Sequence, residues 1–143
     1  MCLKSKGVFF ATIPDSEVIF ERLQKSHGVS FGNSLYKIEF TQKKEFVKYG
    51  QQYKFYLEDA INDCPEYMVH IETLTSYAQQ YGLRLRYVAN FSQFYQQYRE
   101  KYSALMNRMM KNLSKNQREY GHIMPTEEWE VCTLYLAVVF EKN

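Results

Sequence analysis

Residues 7–18 read GVFFATIPDSEV, and the fold turns on how they are parsed. The first seven are apolar or small, with β-branched and aromatic members and no helical period, which is the pattern of a strand covered on both faces. Pro14 has no backbone donor and ends the strand. Asp15 and Ser16 then supply N-cap chemistry, because their side-chain oxygens can accept from the unpaired amides of a first helical turn. A helix over about 16–26 follows, with Val18, Ile19, Phe20 and Leu23 on its apolar face and His27-Gly28 as its stop. A strand that runs straight into a capped helix is the building unit of an α/β fold.

Further along, LYKIEF at 35–40 and YKFYLEDAI at 53–61 alternate in polarity and read as strands that could pair. From Pro65, the residues Tyr67, Ile71, Leu74, Ala78 and Tyr81 recur at helical spacing, with Gly82 as the C-terminal stop. LRLRYV at 83–88 alternates leucine with arginine, as a strand with one wet face does. A helix over 92 to about 113 follows, carrying Tyr98, Tyr102, Leu105, Met109 and Leu113 on one side. Its methionines read as core filler. Residues 114–124 look irregular, and 127–129 suggest a short helical start. Residues 134–140 form a last buried strand. The order strand, helix, two inserted strands, helix, strand, helix, strand predicts an α/β fold with a mixed sheet. Two strands that are apolar throughout have few neighbours in so short a chain, so an apolar edge is left that a stable protein would pair or cover.

The chain has 143 residues, enough for one domain, and a domain of this size buries roughly 70% of its unfolded surface. With 45% hydrophobic and 24% charged residues, neither a disordered nor a fibrous class fits. A formal net charge of +2 is too small by itself to signal a polyanion binder. Cys2, Cys64 and Cys132 are odd in number, widely spaced and without a CxxC pair. They argue against a disulfide framework and against a zinc site, and an intracellular, reduced protein is expected. No apolar run reaches the roughly 18 residues of a membrane span. The apolar part of MCLKSKGVFFATIP is short and runs into Pro14, unlike an export signal. Aromatic content is the outlier, with 13 Tyr and 10 Phe. Buried tyrosines need a partner for each hydroxyl, so a surplus of them points to half-wet ligand walls.

Residues 63–69, DCPEYMV, admit two readings. Asp63 and Glu66 have the spacing of a capping box, an acid at the N-cap and a glutamate three residues on, which needs no function. Alternatively, Glu66 is a carboxylate at the mouth of an aromatic pocket, placed to accept from a planar, donor-rich ligand edge. His70, a helical turn beyond Glu66, reads as a packed or solvated residue outside any site. From 99 to 118 there are six basic residues and one acid, Glu100. Lys101, Arg108, Lys111, Lys115 and Arg118 share a helical face, read as solvated, with contact to RNA phosphates as the alternative.

Taken together, KSKGVFFATIPDS at 4–16, SFGNSLYKIEF at 30–40, YGQQYKFYLEDAINDCPEYMV at 49–69 and WEVCTLYLAVVFEKN at 129–143 resemble the C-terminal half of the eukaryotic-type mRNA cap guanine-N7 methyltransferases. The resemblance covers essentially the whole chain. It implies residues 1–143 as a partial domain, the cap-binding half of a Rossmann-like class I methyltransferase with an inserted β-hairpin and the donor-binding half absent. It also implies transfer of a methyl group from S-adenosylmethionine to N7 of the cap guanine, with capped mRNA and the donor-binding half as partners and the nucleus as location. On the same grounds Glu66 would read the cap guanine, Tyr53 and Phe55 would flank the base, Pro14 would wall the pocket and Tyr135 would complete it. The chemistry suits these roles. Guanine presents adjacent N1 and N2 donors, and a carboxylate can accept both at once. Alternation puts Tyr53 and Phe55 on one face of a strand.

N7 carries a lone pair and no proton, so no general base, and no catalytic residue in that sense, is expected. No glycine-rich turn follows a strand, so the cofactor site is expected outside the chain. A non-enzymatic cap-binding or regulatory module is the alternative.

Overall fold

The computed structural model describes residues 3–42, 47–110 and 124–143. Its elements run β1 (Val8–Pro14), α1 (Ser16–Lys25), β2 (Ser30–Gly32), β3 (Tyr36–Phe40), β4 (Gln52–Leu57), β5 (Ile61–Tyr67), α2 (Ile71–Gln80), β6 (Leu83–Asn90), α3 (Phe91–Tyr98), α4 (Ser103–Met110), α5 (Thr126–Cys132) and β7 (Tyr135–Lys142). They form a three-stranded sheet in the order β1-β7-β6 and a four-stranded meander in the order β2-β3-β4-β5.

The strand-to-helix unit at 7–18 forms as the residues dictate. Asp15 caps α1 by accepting from the amides of Glu17 at 3.1 Å and Val18 at 3.3 Å. The strand itself differs from expectation. Rather than being covered on both faces, β1 is an edge strand, with Val8 52%, Phe9 47% and Phe10 78% exposed. Its inner end is covered on one face only, where Ala11 and Ile13 pack against a core formed by Ala78, Leu136, Val138 and Phe140. The central strand is β7, whose alternation of buried Leu136, Val138 and Phe140 with half-buried Tyr135, Ala137 and Val139 shows one face fully covered and the other partly so.

The mixed sheet is also corrected. Every pairing among the described residues is antiparallel, and the strands divide into two sheets. Alternation of strands with helices suggests parallel neighbours, but the helices between β6 and β7 return the chain so that β7 enters between β1 and β6, antiparallel to both. The α/β character survives in β1 and β6, which run in the same direction on either side of β7. The inserted hairpin is larger than expected. LYKIEF and YKFYLEDAI do pair, as β3 and β4, but β2 and β5 extend them to four strands.

The helix expected from Pro65 begins at Ile71, and residues 61–67 are strand β5. Asp63 and Glu66 therefore do not form a capping box. Pairing with β4 satisfies this segment's backbone instead, with Tyr53 opposite Glu66, Lys54 opposite Pro65 and Phe55 opposite Cys64. Pro65 is tolerated because β5 is an edge, where a missing donor costs no ladder bond. Gly82, at φ +68, stops α2 as expected. The long helix from 92 breaks into α3 and α4 around residues 99–102. Leu113, Lys111, Lys115, Arg118 and most of the irregular stretch 114–124 lie outside the described residues.

The main core joins α1 to the meander: Ile19 and Leu23 pack with Tyr36, Ile38, Phe40, Tyr53, Phe55, Met68 and Leu134. Leu134 lies immediately before β7, so this core fixes the position of the meander relative to the start of that strand.

Candidate functional site

β4 and β5 present Tyr53 and Glu66 as directly opposed residues. The Tyr53 hydroxyl donates to Glu66 Oε2 at 2.6 Å. Only 2% of Tyr53 is exposed, so its ring belongs to the core while its hydroxyl orients the acid. Burial first, then the hydrogen bond to and the charge of Glu66, push this phenol far above its ordinary value, and it remains a donor throughout the physiological range. A carboxylate has about four lone-pair positions. Among the described residues Oε1 accepts no protein hydrogen bond, so the half-buried acid keeps acceptor capacity for a ligand.

Tyr135, from the other sheet, packs against the core that contains Tyr53. Its phenol is raised by burial first, then by the Glu66 charge, then by Cys132. Its ring lies 6.1 Å from that of Phe91. Pro14 is the backbone partner of Tyr135 across β1 and β7. The structure thus brings Glu66, Tyr53, Tyr135 and Pro14 to one junction between the two sheets. Phe55 shares the inner face of β4 with Tyr53 and is packed into the core at 3% exposure, so neither ring is open to flank a base as the resemblance implied.

Residues that the sequence reading did not single out hold this junction. Asn90 donates through Nδ2 to Asp15 Oδ2 at 2.9 Å and to the Thr133 carbonyl at 2.9 Å. The Asp15 amide donates to the Leu134 carbonyl at 2.7 Å, locking the Pro14 segment against the start of β7. Arg22 donates to the Tyr36 hydroxyl at 2.8 Å, the Glu130 carbonyl at 2.9 Å and Thr133 Oγ1 at 2.7 Å. The Arg22 contacts to Glu130 and Thr133 join residues more than a hundred positions apart, and no local pattern announces them. Asn90 did carry a local signal: with Gln93 it forms the capping box of α3.

A separate cavity of about 760 Å³ lies on the same sheet face, between Thr12, Ala137 and the rings of Phe91, Phe94, Tyr98 and Trp129. Glu66, Tyr53 and Tyr135 are not in its wall, but Phe91, whose ring lies 6.1 Å from that of Tyr135, is, so the cavity adjoins the junction. Among the described residues no group of three or more His, Cys, Asp or Glu is placed to hold a metal ion, and no helix is long and apolar enough to cross a membrane.

A family model of the mRNA (guanine-N(7))-methyltransferase domain matches residues 1–143. The chain is 37% identical to the mRNA cap guanine-N(7) methyltransferase of Cryptococcus neoformans var. neoformans serotype D, with 98% of this chain and 23% of that protein covered. It is 38% identical to mRNA cap guanine-N(7) methyltransferase 1 of Oryza sativa subsp. japonica, covering 99% of this chain and 40% of the relative. Against the mRNA cap guanine-N(7) methyltransferase of Saccharomyces cerevisiae the identity is 40%, covering 98% and 35%. The chain spans at most about two-fifths of the length of these relatives.

Proposed function

Because the chain belongs to the mRNA (guanine-N(7))-methyltransferase family, we propose that it carries the guanine pocket of an enzyme that methylates N7 of the mRNA cap, in the nucleus, with capped 5′ ends as substrate. The observation that carries this reading is the oriented Glu66 carboxylate, held by Tyr53 beside Tyr135 and Pro14 at the joint of the two sheets. Glu66 accepts from N1 and N2 of the guanine, a donor pair that adenine lacks. Tyr135 and Pro14 form the walls, Tyr53 aims the acid, and Phe55 supports the floor beneath.

The family's methyl donor is S-adenosylmethionine. The described residues do not fit it: β1 passes into α1 through Pro14-Asp15 and β6 passes into α3 through Asn90, so neither turn offers the glycine-lined approach that a nucleoside cofactor takes at a strand-to-helix turn. The glycines lie elsewhere; a Cβ on Gly32, for example, would sit 2.0 Å from the Tyr36 carbonyl oxygen, a close strand contact. We assign the donor site to the part of the family's length that this chain does not cover. This chain's share of the work is orientation. N7 has a free lone pair, so the acceptor needs to be held in line rather than deprotonated, and positioning supplies that without a side-chain base.

The test is to titrate the cap analogue GpppA and S-adenosylmethionine separately against the purified chain. Saturable binding of the analogue without binding of the donor is expected. Binding of the donor alone would overturn the assignment. If the analogue binds but no N7 methylation follows on mixing with a relative's donor-binding portion, the chain is a cap-binding module rather than part of an enzyme.

A further inference from the structure

The pocket is built across two sheets, so something must hold the gap between them. Pro14 and Tyr135 come from the β1-β7-β6 sheet, and Tyr53 and Glu66 from the meander. On one side Arg22 and Asn90 tie the segments together. On the side where β5 leaves for α2, the tie is His70. The residue is 7% exposed, with Nδ1 3.1 Å from Ser16 Oγ and Nε2 3.0 Å from the Val47 carbonyl oxygen. Ser16 stands two residues after Pro14, His70 four residues after Glu66, and Val47 leads through Gln51 into the strand that carries Tyr53.

The chemistry sets the direction of each bond. A carbonyl only accepts, so Nε2 carries the proton and donates to Val47. In the neutral ring Nδ1 is then an acceptor, and the Ser16 hydroxyl donates to it. Both polar atoms of the ring are thereby matched. His70 also occupies the N-cap position of α2, where its side chain makes no capping bond. Ser, Thr, Asp or Asn there would cap the helix, typically contributing ~1 kcal/mol. The ring spans outward to two other segments instead. The same loop is drawn in by two further bonds, from the Met68 amide to the Gln51 carbonyl at 2.9 Å and from the Val47 amide to Gln51 Oε1 at 3.3 Å.

We propose that His70 is a positioning residue for guanine selectivity: through Ser16 it sets the separation between the Glu66 carboxylate and the Pro14 wall, while its bond to Val47 only anchors the loop. This rests on the guanine reading of Glu66. His70 touches no substrate. It acts by denying the β5-to-α2 connection the freedom to carry Glu66 away from the opposite wall, so its loss widens the pocket and lets adenine compete.

The two arms can be separated by substitution. Asparagine places an acceptor where Nδ1 sits, and glutamine places a donor where Nε2 sits. Dissociation constants for GTP and ATP are measured on the full chain and on His70→Asn, His70→Gln, Ser16→Ala, the Ser16→Ala/His70→Gln double variant and Glu66→Gln, with a melting curve for each. Ser16→Ala leaves Asp15 in place as the cap of α1, so that variant is expected to fold. His70→Gln and Ser16→Ala should each reduce the preference for GTP about tenfold, as loss of one buried hydrogen bond allows. The double variant should lose no more than either single one, and His70→Asn should keep the preference. A merely structural role would give equal losses for His70→Asn and His70→Gln, following the melting temperature. If Glu66→Gln abolishes the preference while folded Ser16→Ala and His70→Gln retain it, or if the double variant loses the sum of both, the positioning role is overturned and the guanine reading stands. If the unsubstituted chain shows no preference for GTP, the guanine reading falls and this inference with it.

Discussion

At the Tyr53–Glu66 pair, the short bond of 2.6 Å does two jobs. It satisfies a phenol buried in the core, and it fixes one oxygen of the Glu66 carboxylate. Glu66→Gln preserves the shape but presents an amide donor to a donor edge. It should weaken binding of GTP relative to ATP by about 1 to 3 kcal/mol, the range for a bidentate base contact. Unchanged preference in a folded variant would remove Glu66 from the site. Tyr53→Phe removes the orienting bond, and a hydrogen bond to a charged group contributes about 1.5 to 3 kcal/mol. Both guanine preference and thermal stability should fall in that variant. A pH effect follows from the same burial. The phenols of Tyr36, Tyr53 and Tyr135 are all raised, each by burial first. The unfolded chain releases those protons from about pH 10 upward while the folded chain retains them. The stability they carry is therefore whole below that pH and declines as pH rises beyond it. Urea midpoints measured on either side of pH ~10 should fall less steeply for Tyr53→Phe than for the unsubstituted chain.

Among the elements, the hinge of the structure is the short connection from Thr133 through Leu134 to β7. Arg22 and Asn90 both converge on Thr133, and the Asp15 amide takes the Leu134 carbonyl. Asn90→Ala removes the cap of α3, for which about 1 kcal/mol is typical, and also leaves Asp15 Oδ2 without its donor. A lowered melting temperature is expected, together with weaker cap-analogue binding because Pro14 is released. Arg22→Lys keeps the charge but cannot reproduce three divergent donors, so it should also destabilise the fold. The helical period around 71–78 was legible because Ile71, Leu74 and Ala78 point into one core. The strand at 61–67 was not, since Asp63, Cys64 and Tyr67 are exposed and the segment is held by its ladder to β4 rather than by an apolar face. Periodicity reports burial, and an edge strand with little burial leaves no period to read.

Across the molecule, the outer edge of β1 has no strand partner among the described residues, and Phe10 stands 78% exposed on it. An apolar edge of this kind templates association. Phe10→Lys should change the folding stability of the isolated chain by no more than about 0.5 kcal/mol, the usual range for an exposed position. It should also reduce self-association measured by light scattering. Loss of stability without a change in association would show that the ring is supported by contacts within the chain.

The sequence by itself determined the family, through segments spread over the whole chain, and it determined the strand-to-helix unit at 7–18 and the pairing of β3 with β4. Those features rest on local chemistry: a cap, an alternation, a stop at Gly82. Tertiary structure alone decided that Glu66 lies on a strand, that the sheets are two and antiparallel, and that Tyr135, from the other sheet, packs against the core that contains Tyr53. It alone disclosed Arg22, Asn90 and His70 as the ties. Each of these is a pairing between residues distant in the chain, whose energy comes from partners no local window contains, so only the folded arrangement could select them.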